Sequence, residues 1–304
     1  MAAPTRRSDF TPLLAEGLRD IFFEKFNSRP WEYKQVFKIL NSKKAYEEDY
    51  DMTGFGVVPI KPEGQAIAYD NPIGGETKRH THVSYGLGFR ITKEMKDDEL
   101  YGQMNKMPKA MARSARTTIE QTAANVLNYG FVTTKHTGRD GKALFATDHP
   151  LLGGGEQSNR AATPSELSMT SLQAAVTAME ATTDDRGHLL AIKPKRLVVP
   201  SVLRWTAREL LLPRATEKPD TANRDINSLL EEDLSFFVYH YLTSSTAWFL
   251  LAPEDDHEIL FFWRKQPTTD SDDDFDTGDT KIKLFMRFVP GFSDYKGAYG
   301  NAGA

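Results

Sequence analysis

The sequence predicts an α+β fold, because its helical and strand patterns come in separate blocks. Their order is a helix, a glycine-rich ribbon, a long helix, a mixed region and a run of strands, which differs from the alternation of a βαβ series. No internal repeat of fixed period is present. The chain of 304 residues is 39% hydrophobic, which is enough for one large domain or two smaller ones.

Composition excludes several classes of protein. The net charge of −4 argues against a basic face that grips nucleic acid. No apolar run is long enough to suggest a helix that crosses a membrane. The N-terminal sequence lacks the apolar core of a signal peptide, which predicts synthesis in the cytoplasm. The absence of cysteine excludes disulfides, thiolate catalysis and cysteine-ligated metal sites.

The first predicted element is an amphipathic helix. Thr11 and Pro12 are typical of an N-cap and a first helical residue, and the helix is expected to end near 27–30. Its apolar face consists of Leu13, Leu14, Leu18, Ile21, Phe22 and Phe26. This face could cap the chain's own core or lie on a neighbouring subunit. A polar segment, 41–51, separates the helix from the next predicted element.

A long antiparallel ribbon is predicted next, over 53–91. Residues 83–91 alternate apolar and polar side chains, the clearest strand pattern in the chain, and 54–60 is the expected partner strand. The turn residues of 62–75 would form the tip. An isolated two-stranded ribbon is marginally stable in water, so the pattern predicts a partner surface on this chain or another.

The central element is a helix over Pro108–Asn128, about 31 Å long at about 1.5 Å per residue. Pro108 fits as its first residue, with 92–106 as a separate or kinked lead-in, and Gly130 as its stop. One apolar stripe follows the helical period: Met111, Ala115, Ile119, Ala123 and Val126 or Leu127. The opposite face is expected to meet solvent or a partner: Arg113, Arg116, Thr117, Glu120 and Gln121.

The second half mixes helices and strands. Capping patterns at Thr163 and at Thr170 predict starts for an alanine-rich helix that ends near Thr183. A second helix is expected over 203–212, closed by Pro213. Apolar runs predict strands at 197–199, 236–242, 246–251, 258–263 and 281–289. The last of these places four side chains on one face: Ile282, Leu284, Met286 and Phe288.

Catalytic signatures are missing from the sequence, and the isolated candidates favour structural roles. His80 and His82 lie two apart and could share a metal ion, but with no third ligand they are interpreted as solvated histidines. Asp148 and His149 could form an acid–base pair, but adjacent residues on a strand point opposite ways, which favours a hydrogen-bonded loop.

Three further charged groups also favour structural roles. The segment 184–188 is typical of a solvated turn. The acidic run 270–279 lacks the residue order of a calcium loop and is expected to be solvated. Arg113 and Arg116 could bind phosphate, but ion pairs or solvation are favoured. The sequence therefore predicts neither catalytic residues nor a cofactor or metal site.

Five segments together resemble the major head subunit of Mu-like tailed phages, over most of the chain from about Tyr85 onward. They are YGLGFRITKEMKDDELYGQM, ANVLNYGF, DGKALFATDHPL, RGHLLAIKPKRLVVPSVL and IKLFMRFVPGF. The resemblance implies the Hong Kong 97 type of capsid fold. It divides the chain into an N-terminal arm (1–47), an extended E-loop (48–92), a peripheral domain with the spine helix (93–165), an axial domain (166–265), and an acidic loop with a returning peripheral strand (266–304).

The resemblance also implies function and partners. Copies of the chain are expected to form the pentamers and hexamers of an icosahedral head, built in the host bacterial cytoplasm and found in the virion. Expected partners are other copies, a separate scaffolding protein, a portal and packaged double-stranded DNA contacted non-specifically, with no membrane. Two alternatives remain open. One is an encapsulin-like compartment for protein cargo, and the other is a metallohydrolase using His80, His82, His136 and His149.

Overall fold

A computed structural model of the protein describes residues 11–98, 101–211 and 233–304. The helices are α1 (Thr11–Phe26), α2 (Lys93–Asp97), α3 (Tyr101–Met104), α4 (Lys106–Asn128), α5 (Met169–Glu180) and α6 (Arg204–Leu211), with 3-10 turns at Tyr33–Gln35 and Ser201–Leu203. The strands are β1 (Lys38–Asn41), β2 (Tyr46–Met52), β3 (Gly74–Thr81), β4 (Val83–Ile91), β5 (His149–Pro150), β6 (Glu156–Gln157), β7 (Arg196–Val199), β8 (Ser235–Val238), β9 (Trp248–Leu251), β10 (Ile259–Asp273), β11 (Thr280–Phe292) and β12 (Ala298–Asn301).

The first sheet has the order β1-β10-β11-β4 and packs against α4. β1 is parallel to β10, and the other pairs are antiparallel. β11 alternates as predicted, with Ile282, Leu284, Met286 and Phe288 buried. These side chains and the apolar stripe of α4 belong to one core, because a half-buried strand and an amphipathic helix cover each other's apolar faces.

The second sheet has the order β12-β9-β7-β8 and forms a second core with α5 and α6. β9 is buried along its whole length, as expected for a continuous apolar run inside a sheet. The C-terminal strand β12 pairs with β9 at the sheet edge, and sequence patterns missed it because AYGN neither alternates nor forms an apolar run. No helix in the described residues has the length and apolarity needed to cross a membrane.

α4 confirms the predicted central helix and its buried stripe. Met111, Ala115 and Ile119 are 4% exposed or less. The helix begins at Lys106, so Pro108 is its third residue rather than its first. This shift is compatible with proline, because the first four N–H groups of a helix have no acceptor within it. α2 and α3 form the separate lead-in that the sequence predicted.

Part of the polar face of α4 is covered by the chain itself, which corrects the expectation for Glu120 and Arg116, whereas Arg113 and Gln121 are exposed. Glu120 is 1% exposed, and its carboxylate accepts hydrogen bonds from the backbone N–H groups of Glu32 and Tyr33, both at 2.9 Å. Burial raises the pKa of Glu120 to about 7. Arg116 donates to the carbonyls of Phe26, Arg29 and Pro30. Both side chains therefore fix the segment that follows α1.

α1 lies on α4 of its own chain. Leu18, Phe22 and Phe26 are buried in the core shared with α4. Of the two alternatives for the apolar face, the structure therefore shows the one in which these residues cover the core of their own chain. Thr11 is the first helical residue rather than the cap. Residues 1–10 lie outside the described residues, and so do the side chains of 11–15, which include Leu13 and Leu14.

Replacing Glu120 by alanine is expected to loosen this junction. The two backbone N–H groups lose their acceptor, and each buried unsatisfied donor costs about 1–3 kcal/mol. Glu120→Gln is the matched control, because its amide oxygen still accepts one hydrogen bond, so its loss should be clearly smaller. Urea denaturation of both variants measures the difference. Equal losses in the two variants would contradict the assigned role of the carboxylate.

The ribbon is built from different strands than the sequence predicted. β4 pairs with β11 in the first sheet, and 54–60 forms no strand. The ribbon strands are instead β2 and β3, with the tip at 53–73. β4 joins the sheet because part of its apolar face packs there: Ile91 is buried, and Tyr85 stacks on Phe288 with ring centroids 4.6 Å apart.

Opposite charges set the register of the ribbon. The acidic strand β2 lies opposite the basic strand β3, so that Glu48 faces Arg79 and Asp49 faces Lys78. Arg79 also donates to Glu48 at 2.6 Å. Cross-strand pairs of opposite charge favour one register over its neighbours. The segment 41–51, predicted as a polar separator, is therefore largely a ribbon strand.

In the second half of the chain, the structure confirms most of the predicted helices and strands and places the start of one helix at a different residue. α5 begins at Met169 with Ser168 as its N-cap, in a capping box with Ser171, so the predicted starts at Thr163 and Thr170 are wrong. The helix starts after Ser168 because the side chains of Ser168 and Ser171 each accept a hydrogen bond from the other residue's backbone N–H group. β7 and α6 lie where predicted, and Pro213 lies outside the described residues.

Candidate assembly surface

The ribbon is joined to the body through an arginine whose side chain is 9% exposed. Arg139 is surrounded by four carboxylates: Asp49 and Asp51 of β2 at 3.2 and 3.8 Å, and Glu258 and Asp294 of the body at 3.0 and 3.2 Å. Burial raises the pKa of Glu258 to about 7, and the neighbouring carboxylates add to this rise. One guanidinium thus holds the acidic strand of the ribbon against equally acidic groups of the body.

A second set of polar contacts joins the tip of the ribbon to the body. It involves the turn 184–188, which the sequence predicts to be solvated. Arg186 lies 2.6 Å from the carboxylate of Asp70 and donates to the carbonyl of Asn71 at 2.7 Å. Asp185 of the same turn pairs with Lys296 at 2.9 Å. The turn is therefore a contact between tip and body, and the prediction of a solvated turn is wrong.

His80 and His82 lie where the ribbon meets the first sheet. Both are buried, at 3% and 5% exposure, and their Nε2 atoms lie 3.0 Å from the hydroxyls of Ser293 and Ser42, respectively. The expectation that they are solvated is wrong, because β3 lies across β11 instead of standing free. Burial lowers the pKa of His80 to about 4, so the ring is neutral at pH 7.

His149 is also removed from solvent. Its ring is 0% exposed, stacks on Tyr295 at 3.7 Å, and contacts Asp140 through Nδ1 at 2.5 Å and Asn159 through Nε2 at 3.1 Å. Asp148 pairs with Lys142 rather than with His149. The favoured interpretation of a hydrogen-bonded loop is confirmed, with Asp140 as the partner. A sealed imidazole of this kind has no surface on which a substrate could bind.

The other residues that the sequence offered as metal, calcium or phosphate ligands do not form such a site in the described part of the chain. In the described residues, no group of three or more histidine or carboxylate side chains could hold a metal ion. Asp270 to Asp273 belong to β10, so the acidic loop is confined to 274–279. Arg113 is exposed, whereas Arg116 is bound to backbone carbonyls, so the two arginines do not form a phosphate site.

Acid should destabilise the junction between the ribbon and the first sheet, because it protonates His80. The folded pKa of about 4 lies below the usual 6.5, so the unfolded chain binds more protons between these values. The stability contributed by the neutral ring is present above pH 6.5 and is lost as pH falls toward 4. His80→Gln keeps a polar contact to Ser293 without a titrating ring. Melting temperatures at pH 7 and 4.5 should differ less for this variant; an unchanged difference would contradict the prediction.

The tip of the ribbon is the largest exposed apolar segment in the described part of the chain. Residues 53–73 form no helix or strand. Ile60 and Tyr69 are each 95% exposed and Val58 is 89% exposed. The other exposed apolar side chains of the tip are Phe55, Val57, Ile67 and Ile73. A concentration of large apolar side chains in water marks a binding surface in a soluble protein.

Sequence reasoning missed the composition of this surface although the signal was present. The run GFGVVPI and the later IAY fit strand and turn patterns, which do not say whether their apolar side chains are exposed. The burial of Glu120 was missed for a different reason, since its partners lie 87 and 88 residues away in the chain.

Both the sequence and the fold are similar to known proteins. Residues 75–301 match the family described as phage capsid protein. No curated protein matches the sequence significantly. Among solved structures, a chain of Microbacterium phage Oxtober96 has a TM-score of 0.55 at 8% identity, covering 90% of this chain and 91% of that one.

Two other solved structures share the fold. A chain of the bacteriophage JBD30 capsid decorated with minor capsid protein trimers has a TM-score of 0.53 at 16% identity, covering 77% of this chain and 99% of that one. A chain of the virus-like particle from Pyrococcus furiosus has a TM-score of 0.52 at 9% identity, covering 94% and 98%. At such identities the likeness establishes the fold alone.

Proposed function

The chain belongs to the phage capsid protein family, and from that premise we propose that its copies form the pentamers and hexamers of an icosahedral head enclosing double-stranded DNA. It is a structural protein with the Hong Kong 97 type of capsid fold, not an enzyme. Many copies in closed symmetry turn modest contacts between neighbours into a stable shell.

The exposed tip of the ribbon is the observation that carries this proposal. Its apolar side chains extend beyond the cores of both sheets, and Arg139 and Arg186 fix the ribbon to the body. A subunit that holds such a segment in water needs a neighbour to cover it. We assign the tip to the surface of an adjacent copy in the capsomer.

The proposed division of the chain keeps an N-terminal arm (1–47), an E-loop (48–92), a peripheral domain (93–165), an axial domain (166–265) and a returning segment (266–304). The second sheet with α5 and α6 supports the axial unit. β10 continues past residue 265, although its pairing with β11 shifts register on both sides of Lys265. β12 returns to the second sheet, so the chain crosses between the two units more than once.

The finer assignments belong to the same proposal. The five segments that resemble a Mu-like head subunit favour a Mu-like head, assembled in the host bacterial cytoplasm with a separate scaffolding protein and a portal. A net charge of −4 suits a container whose lining contacts DNA only non-specifically, since a strongly basic lining would hold the genome during packaging and ejection. The fold is shared with the virus-like particle from Pyrococcus furiosus and so does not by itself select a phage head, which leaves a protein-cargo compartment as the second candidate.

Electron microscopy of the expressed protein, alone and with a scaffolding protein, tests the proposal. Closed icosahedral shells are expected, and particles recovered from infected or induced cells should contain DNA. Protein cargo without nucleic acid would favour the compartment instead. A stable monomer under every assembly condition would contradict both.

A further inference from the structure

Three basic side chains lie close together on one face of the first sheet, at a bulge in β10. The register of β10 with β11 passes from the pair Trp263–Phe288 to the pair Lys265–Arg287. Arg264 is therefore the extra residue of a β-bulge. Phe288 is buried in the core shared with α4, and since successive side chains of a strand alternate, Arg287 lies on the other face. We call Arg264, Lys265 and Arg287 the bulge cluster.

The ring of His82 lies beside both arginines of the bulge cluster. Burial lowers the pKa of His82, and the nearby positive charges of Arg287 and Arg264 lower it further. The ring is 5% exposed, with Nε2 3.0 Å from the hydroxyl of Ser42 and Nδ1 buried without a hydrogen-bond partner. The two guanidinium groups therefore share one partly buried corner of the sheet.

The bulge cluster is not neutralised by contacts with its own chain. Within the described residues, the side chains of Arg264 and Arg287 form neither an ion pair nor a hydrogen bond, and the Nε–H group of each is buried without an acceptor. The ammonium group of Lys265 lies 5.1 Å from the centre of the Phe285 ring, and no carboxylate of the described chain pairs with it. Like charges directly opposite each other in a sheet are destabilising, so these cations call for an anion.

Glu47 is the carboxylate that acts on His82, but it is engaged elsewhere. Its two oxygens contact the hydroxyl of Ser42 at 2.6 Å and the ammonium group of Lys44 at 3.4 Å. Glu47 therefore does not supply the anion that the bulge cluster needs.

The β4 side of the bulge cluster is open to solvent. Ser84 lies opposite Arg287, is exposed, and has a hydroxyl without a hydrogen bond to the described chain. Gly86 follows on the same face, where an added Cβ would have only the carbonyl oxygen of Leu284 nearby, at 3.6 Å. A ligand can therefore approach the arginines from this side.

We propose that the bulge cluster binds a phosphate group, with the hydroxyl of Ser84 as a further donor. A guanidinium is a planar fork of N–H donors that matches two phosphate oxygens, and lysine adds a point charge. A phosphate monoester carries a charge of about −1.5 to −2 on three oxygens, whereas a carboxylate carries one charge on two. Three cations and a hydroxyl match the phosphate better. The site lies within one subunit and does not depend on assembly into shells.

Calorimetric titration of inorganic phosphate into the full chain, at constant ionic strength, tests the site. Lys265→Gln should weaken binding by about tenfold, and because Lys265 is exposed, the change should not affect folding. The matched control is Lys281→Gln, which removes the same charge from the same face about 20 Å along β11, at about 3.3 Å per residue. Lys281 is paired with Asp274, so this variant should bind phosphate as the parent chain does.

Thermal melting in phosphate and in chloride, at equal ionic strength, is the second measurement. Phosphate also stabilises folded proteins because it is excluded from their surface, and this contribution should be the same in both variants. Bound phosphate should therefore raise the melting temperature of the parent and of Lys281→Gln more than that of Lys265→Gln. Equal increases in all three chains would overturn the proposal.

A labelled DNA duplex, titrated at several salt concentrations, separates two sources of the phosphate. If nucleic acid supplies it, Lys265→Gln should reduce the slope of log K against log salt by about 1, and Lys281→Gln should leave it unchanged. An effect of Lys265→Gln on inorganic phosphate alone assigns the site to free phosphate. Acetate that binds as tightly as phosphate, or binding of phosphate and DNA that ignores Lys265, would overturn the proposal and leave the capsid function standing.

Discussion

Replacing Ile119 by aspartate should eliminate the folded, soluble subunit. Ile119 is 0% exposed at the middle of α4, in the core that also contains Phe261 and Phe288 of the first sheet. An unpaired carboxylate in that position has no donor or cation to replace water, and such burial belongs to the few mechanisms that cost more than about 4 kcal/mol. Because the whole stability of a domain is only about 5–15 kcal/mol, the loss should prevent accumulation.

Ser114→Asp is the matched control for this prediction. Ser114 lies on the exposed side of the same helix, so the new carboxylate stays in water and stability should change by less than about 0.5 kcal/mol. Soluble yield and thermal melting of the two variants give the comparison. A soluble Ile119→Asp chain with an unchanged melting temperature would show that α4 does not occupy the core.

Local patterns in the sequence were sufficient for elements whose neighbours only had to be apolar. The spacing of Met111, Ala115 and Ile119 predicts the buried stripe of α4, and the alternation in β11 predicts its buried face. In both cases the period alone decides which side chains leave water. No knowledge of the partner element is needed.

Sequence patterns were insufficient wherever the structure depends on which segment of the chain lies next to an element. The alternation of 83–91 is the same whether its partner is 54–60 or β11, and only the larger sheet, with Phe288 beneath Tyr85, decides between them. Glu120 appears on a polar helix face until the segment after α1 brings two N–H groups to it. The charge match of β2 with β3 was readable in the sequence, because an acidic run precedes a basic one, but the intervening 54–60 run was the more obvious strand.

Two segments are predicted from the sequence to need a partner surface, the first helix and the ribbon, and the structure separates these two cases. α1 already has Leu18, Phe22 and Phe26 buried against α4. The large apolar side chains of the ribbon tip have no such cover within the described residues, and Arg186 contacts only the polar groups of Thr53, Asp70 and Asn71. The need for a neighbouring copy is therefore concentrated in the tip.

Replacing residues 55–69 by a short glycine–serine linker should leave a folded subunit that fails to form shells. The change begins after β2 and ends before Asp70, so the pairing of β2 with β3, the Arg139 junction and the Arg186 contact are retained. The removed apolar side chains are exposed in the free subunit, so unfolding by heat or urea should be unchanged. Burial of each such side chain against a neighbour contributes about 1.5–3 kcal/mol, so losing several of them should abolish assembly.

Electron microscopy and sedimentation measure assembly of this variant, and thermal melting measures its fold. The matched control is Glu63→Gln with Gln65→Glu, which keeps the length, net charge and apolar content of the tip and should assemble normally. The two measurements separate the roles of the segment, because a folding role lowers the melting temperature whereas a contact role lowers assembly alone. Shells formed at the normal concentration by the linker variant would assign the contact between copies to another surface.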